Sequence, residues 1–221
     1  MPHACGGRLP LLSSRSRTED ARTMADWNAR YAEPGWAFGT EPNDFLRQQA
    51  HHLAPGGRVL CLAEGEGRNA VWLAAQGHDV TGIDTAGIGL EKAQRLAAER
   101  GVALTTVVAD MAEFVFGVAV WDGIVSIFAH VPPHLRQRVH AQALKALKPG
   151  GILILEAYRP QQLEHGTGGP PDDARMLDLE RIRPELGTLE WLLAREVERD
   201  VIEGRYHTGR ASTVQLVARR R

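Results

Sequence analysis

The chain has 221 residues, 43% of them hydrophobic and 24% charged, with 26 Lys+Arg against 27 Asp+Glu. That length buries one sizeable core, and a formal charge of −1 lacks the basic excess of a protein built to coat nucleic acid. Two cysteines, Cys5 and Cys61, exclude a disulfide scaffold and a CxxC zinc module, and no apolar run approaches the ~20 residues that span a bilayer. One soluble, cytoplasmic domain with no nucleic-acid and no membrane partner is the expectation.

Residues 1–23 stand apart. Arg8, Arg15, Arg17 and Arg22 face only Glu19 and Asp20, no hydrophobic period is present, and Gly, Pro and Ser recur. Such composition predicts a disordered extension, with Met24 as the functional start. Leu9, Leu11 and Leu12 are too few for a signal-peptide core, and the Arg/Ser-rich start is only superficially like an organelle transit peptide.

After a polar-aromatic stretch through Trp27, Tyr31, Trp36 and Phe38, the spacing of apolar residues predicts a helix over 45–53, ended by Pro55-Gly56-Gly57. A short apolar run at 58–63 reads as a buried strand, followed by a helix over 69–76, a strand at 79–83, a helix over 88–100 and a strand at 104–108. Residues 123–128 then read as a strand, 135–147 as a helix, Pro149-Gly150-Gly151 as a turn and 152–157 as a strand. This alternation argues for a doubly wound α/β fold with a mostly parallel sheet and helices on both faces. Two β-rich runs at 195–202 and 211–218, with no helix between them, predict a C-terminal antiparallel hairpin.

In such a sheet, ligands bind beyond the carboxyl ends of the strands. The run Ala63-Glu64-Gly65-Glu66-Gly67-Arg68-Asn69 lies at the first of these ends, where two glycines let backbone approach a ligand or simply serve a tight turn. It lacks a complete GxGxxG, and Glu64 and Glu66 stand where a pyrophosphate would lie, so a cationic or zwitterionic ligand fits better. Asp84, with Thr85, ends the second strand; its carboxylate suits both hydroxyls of a ribose or the cap of the next helix. Asp110 can accept from an exocyclic amine with Met111 against a purine ring, or be a solvated turn residue. Asp122 precedes the fourth strand, and Ser126, Ile127 and Phe128 reach the cleft edge. His130 and His134 in a proline turn, and the adjacent His51-His52, are too sparse for a metal site.

Together these motifs resemble the class I S-adenosylmethionine-dependent methyltransferases, most closely the tellurite-resistance and thiopurine methyltransferase-like branch. The resemblance spans about Trp27 to Ala218. Besides the segments above, it is carried by Val80-Thr81-Gly82-Ile83-Asp84, Leu147-Lys148-Pro149-Gly150-Gly151, Gly166-Thr167-Gly168-Gly169-Pro170, Trp27 with Arg30-Tyr31, and Phe38-Gly39 with Pro42-Asn43. It implies a Rossmann-like, seven-stranded sheet, S-adenosyl-L-methionine as cofactor and a small-molecule methyl acceptor, with a bias toward soft sulfur, selenium or tellurium nucleophiles. Cys61 and Ala63 depart from the wider class, standing where an acid and a glycine are usual, so backbone carbonyls would hold the methionine amino group.

A sulfonium methyl is already activated, so the protein must chiefly hold a nucleophile in line, about 3 Å away, in an apolar aromatic cleft. Tyr31, Phe38, Phe128 and Tyr158, with Trp27, are the candidate lining, or simply core. Arg68 and Arg159 are candidates for an anionic group, and His130 for a general base where the acceptor needs one. A non-catalytic adenosylmethionine-binding protein would keep the same cofactor residues. A nicotinamide-dependent oxidoreductase would instead require the intact glycine fingerprint.

Overall fold

A computed structural model describes residues 27–221; the predicted extension at 1–23 lies outside the described residues. Residues 27–32 are helical (α1). There follow α2 (Asp44–Gln49, continued by a 3-10 turn, Ala50–His52), β1 (Arg58–Leu62), α3 (Arg68–Ala75), β2 (Asp79–Asp84), α4 (Gly87–Glu99), β3 (Thr105–Val108), β4 (Trp121–Ile127), α5 (Pro133–Ala146), β5 (Leu147–Tyr158), α6 (Gln162–His165), α7 (Leu179–Leu186), β6 (Glu190–Glu203) and β7 (His207–Arg219). The seven strands form one sheet in the order β3-β2-β1-β4-β5-β7-β6, parallel through β5 and closed by the antiparallel hairpin β6–β7.

The central strands read as continuous apolar runs because both faces of the sheet are covered. Leu60 and Leu62 of β1, Ile124 of β4 and Leu153 and Leu155 of β5 point to one face, under Val139 and Ala143 of α5 and Ile182 and Leu186 of α7. Val59 and Cys61, Val125, and Ile154 point to the other, under Phe45 and Leu46 of α2 and Ala70 and Leu73 of α3. The strand order reverses between β1 and β4, which opens a crevice at their carboxyl ends.

Several expected boundaries move. The turn at Pro149-Gly150-Gly151 is a bulge within β5: Trp121 of β4 pairs with Leu147, and Gly123 next pairs with Ile152. Asp122 lies inside β4, not before it, accepting from Arg58 N and ion-paired to Lys148 at 2.8 Å. The hairpin strands begin earlier than their β-rich runs, at Glu190 and His207. Beyond Tyr158, which pairs with Thr213, the hairpin extends past β5, and its tip overhangs the crevice.

Buried charge fixes that tip. Glu156 on β5, fully buried, accepts from Arg199 on β6 (2.8 and 2.9 Å), Gln215 on β7 (2.7 Å) and the side-chain amide of Asn43 (2.6 Å). Glu203 at the tip accepts from the same Asn43 amide (2.8 Å), from Arg68 (2.6 Å) and from Arg199 (3.3 Å). Asn43 meanwhile caps α2 by accepting from Leu46 N, and its own N–H donates to the Asn69 side chain. Two carboxylates and two guanidinium groups thus balance while joining α2, α3, β5 and β6. Removing one member of a buried ionic network strands the others, at about 3–5 kcal/mol. Glu156→Ala is therefore expected to lower unfolding stability by that amount in urea titration, and Glu156→Gln by less; a loss near zero for Glu156→Ala would deny the network its structural role.

Candidate functional site

A cavity of about 630 Å³ occupies the crevice. Its floor is the ends of β1, β2 and β4. Ala63 and Phe128, each the first residue past its strand, take left-handed backbone (φ 49° and 54°), unusual for side-chain-bearing residues. Its roof comes from α1 and the segment after it, the hairpin tip at Tyr206 and His207, and the Gly168–Asp172 loop. The roof segments hold one another: Arg205 N donates to Ala37 O, the Tyr206 hydroxyl donates to Glu33 (2.8 Å), and Arg30 stacks over both Trp27 and Tyr206.

Of the residues singled out from sequence, Ala63, Glu64, Arg68, Asn69, Asp84, Thr85, Asp110, Met111 and Ile127 line the polar end, and Tyr31, Phe38, Phe128 and His130 the aromatic end. Gly65, Gly67 and Ser126 do not line the cavity: Gly65 is packed on Tyr31, Gly67 on Ala93 of α4, and Ser126 is buried within β4. Tyr158 and Arg159 are also displaced from the positions expected of them. Tyr158 is a buried layer behind Phe128, with ring centroids 4.6 Å apart, and Arg159 turns away to pair with Glu196 at 2.7 Å.

The glycine loop is spent differently from the sequence expectation. Glu64 lies buried over Gly82, where an added Cβ would press on its Cγ at 3.1 Å. It accepts from Asn69 N and Ala70 N at the start of α3. Burial pushes its carboxyl up to about 7, against these donors and the Arg68 charge. Glu66 pairs with Lys92 at 2.7 Å and accepts from Ala37 N at 2.7 Å, tying down the roof. Neither acid therefore stands as a free counter-charge for a cationic ligand. Gly65 N donates to Asp84, and a Cβ on Gly65, at φ +61°, would sit 2.5 Å from the Tyr31 hydroxyl.

The polar end retains unused capacity. Each Asp84 oxygen takes one backbone donor, Gly65 N or Ala86 N (both 2.8 Å), which leaves lone pairs for further donors. Burial raises this carboxyl despite those bonds. Arg68 gives Nη2 to Glu203, while Nη1 is buried without a partner. Asp110 takes one internal donor, Ala112 N. A carboxylate acceptor for hydroxyls, an unpaired guanidinium nitrogen for an anion and Met111 for a flat ring are the donor set an amino-acid nucleoside requires, so these residues fit S-adenosyl-L-methionine.

At the other end His130 is fixed rather than free. Its Nε2 accepts from Tyr158 N at 3.0 Å, and its ring stacks on Tyr158. Burial, then the neighbouring His207, lowers it to about 3. A buried, neutral ring whose lone pair is occupied does not suit a general base. His207, which sequence reasoning passed over, shares this end, 4.5 Å from Phe38 and 4.9 Å from Phe128. No local motif marks it; only the register that pairs it with Glu203 across the hairpin brings it here. Among the described residues no cluster of three or more His, Cys, Asp or Glu is arranged to hold a metal, and no helix is long and apolar enough to cross a membrane.

With this geometry in hand, the comparisons with known proteins agree. Residues 59–151 match the family described as "Methyltransferase domain". A 2-heptyl-1-hydroxyquinolin-4(1H)-one methyltransferase of Mycobacteroides abscessus is 28% identical over 145 residues, covering 63% of this chain and 62% of that protein. A thiopurine S-methyltransferase of Pseudomonas fluorescens is 28% identical over 219 residues, covering 87% and 93%. An uncharacterized methyltransferase of Bacillus subtilis, YbaJ, is 37% identical over 48% of this chain and 42% of its own length. The chain thus spans less than two thirds of two of these relatives. Among solved structures, one described by "Conversion of a Disulfide Bond into a Thioacetal Group during Echinomycin Biosynthesis" superposes with a TM-score of 0.72 at 19% identity, over 90% of this chain and 91% of the other. TehB from Haemophilus influenzae gives 0.66 at 17%, over 80% and 61%.

The seven-stranded fold is shared with solved S-adenosylmethionine-dependent methyltransferases, and residues 59–151 resemble a methyltransferase domain. The cofactor they imply is S-adenosyl-L-methionine.

The site makes a pH prediction. His130 binds a proton near pH 6.5 when unfolded but only near 3 when folded, so its contribution to stability is present above 6.5 and lost as pH falls toward 3. The loss reaches up to about 1.4 kcal/mol per pH unit across that window. His130→Gln is expected to lose stability less steeply than wild type when urea midpoints are compared between about pH 7 and 4; parallel curves would contradict the assignment.

Proposed function

We propose that this protein transfers the methyl group of S-adenosyl-L-methionine to a small-molecule acceptor, with soft sulfur, selenium or tellurium nucleophiles the favoured class. The carrying observation is one cavity with two chemically different ends, joined at the Ala63 and Phe128 strand ends. Asp84 accepts the ribose hydroxyls, Asp110 the adenine amine with Met111 against the ring, and Arg68 Nη1 donates to the methionine carboxylate. Gly65 and Gly67, left-handed and packed on Tyr31 and Ala93, shape the turn that sets Glu64 and Arg68 beside the amino-acid portion.

When bound, the cofactor supplies an activated methyl on a sulfonium. The chain's part is then to hold the acceptor in line and exclude water. Phe38 and Phe128 suit both tasks, because aromatic walls do not stabilise the cationic ground state as an adjacent carboxylate would. The sulfur bias draws on the thiopurine S-methyltransferase likeness and on this apolar lining. The hydroxyquinolinone methyltransferase keeps an oxygen acceptor in contention.

Wild-type protein is expected to bind adenosylmethionine in titration calorimetry, with Asp84→Ala weaker by about 1–3 kcal/mol through lost hydrogen bonds to an ion. A wild type that binds none would end this reading. Adenosylhomocysteine release across thiols, selenite, tellurite and small phenols then ranks the acceptors; turnover confined to phenols would reject the soft-nucleophile preference.

A further inference from the structure

The aromatic end holds two histidines that are not chemically equivalent. His130 has lost its Nε2 lone pair to Tyr158 N, whereas His207 Nδ1 is buried without a hydrogen-bond partner among the described residues. The His207 ring is held by Phe38, Phe128 and Tyr158 at centroid distances of 4.5, 4.9 and 5.4 Å. Its Nδ1 is buried, 3.8 Å from Glu203 Oε2, and the residue lines the cavity. Glu203 Oε2 is beyond hydrogen-bond distance of Nδ1 but close enough to favour the neutral tautomer with its proton on Nδ1, which leaves the Nε2 lone pair available, and to stabilise the imidazolium that forms when a proton arrives.

We propose that His207 is the group that takes the acceptor's proton, with Glu203 as its positioning residue, so that the acceptor is a weakly acidic X–H compound: a thiol or a phenol-class hydroxyl. The proposal rests on the methyltransferase reading above and narrows its acceptor. In the step, an X lone pair forms the bond to the methyl carbon and the electron pair of the broken carbon–sulfur bond stays with sulfur. The X–H pair stays on X, and the proton passes to His207 Nε2 and later to solvent.

Charges around the ring support a neutral resting state. Burial lowers its proton affinity, Glu203 opposes that, and Arg68 and Arg30 add to the lowering. The other ionisable neighbours are Arg199 on β6, paired to Glu203, and the uncharged His130 and Tyr158. Glu203 itself is pressed upward by burial but held down to about 2 by the facing His207, Arg68 and Arg199, so it stays a carboxylate.

The test compares wild type with His207→Gln and His207→Asn on two probes, phenylmethanethiol, neutral near pH 7, and 4-nitrothiophenol, already ionised there. Loss of a general base is expected to cut kcat/KM for the neutral thiol about 100-fold or more while leaving the ionised one within about 3-fold. Adenosylmethionine affinity should be unchanged in calorimetry. An equal fall on both probes, or none on the neutral one, overturns the proposal. Glu203→Gln should move the acid limb of the neutral-thiol pH–rate profile to lower pH, a shift that a purely structural role would not cause.

Diethyl pyrocarbonate mapping gives a readout free of turnover. His207 should be modified and His130 spared; an inert His207 in protein that binds adenosylmethionine overturns the proposal even where neither probe is methylated. The methyltransferase reading fails on a separate result, absence of cofactor binding.

Discussion

The architecture of the site depends on the buried alternation of Glu156, Arg199, Glu203 and Arg68, with Asn43 bridging the two carboxylates. Four charges out of water are costly singly and tolerable only when each is matched and hydrogen-bonded. Because the partners come from four separate stretches of chain, satisfying them fixes the hairpin tip over the sheet and the segment after α1 beneath it. The cavity is the space these constraints leave between the strand ends and the roof.

The glycine loop takes part in the same scaffold. Arg68 and Asn69 reach across to Glu203 and Asn43, Glu66 to Lys92 and Ala37, and Glu64 to the start of α3. Most polar side chains of the motif organise the roof, which leaves backbone, Asp84 and the free Arg68 nitrogen to meet a ligand. The negative charge of the loop, suggestive of a cationic partner when seen in sequence, is largely neutralised inside the protein.

The parallel half of the sheet was legible because two-sided burial writes itself as apolar runs such as Val59-Leu60-Cys61-Leu62, and glycines mark the turns between them. The strand ends followed from that, and with them Asp84, Asp110 and Met111. The hairpin was legible in part: 211–218 is buried throughout, whereas 195–202 is mostly exposed and showed only by its β-rich composition. Glu190 to Ala194 and the 203–210 tip are polar or half-exposed and carry no clean alternation. The helix α7 was hidden by Pro184 in its interior, although Asp178 caps it and Ile182 and Leu186 bury its inner face. Glu156 and Glu203 looked like ordinary strand residues, since their partner Asn43 lies 113 and 160 positions away. His207 escaped notice for the same reason as Glu203.

Those separations govern how the protein is made. Glu203 and Tyr206 close contacts to Asn43 and Glu33 across 160 and 173 residues, so no growing chain holds a roofed cavity until the hairpin has left the ribosome. Until then Glu156 waits without Arg199, and the N-terminal segment has no tip to dock on. Contacts this distant in sequence form late and slowly, after the loops between them have closed. The enclosure of the cavity therefore rests on the contacts whose loop closure costs most, while the parallel core rests on shorter ones.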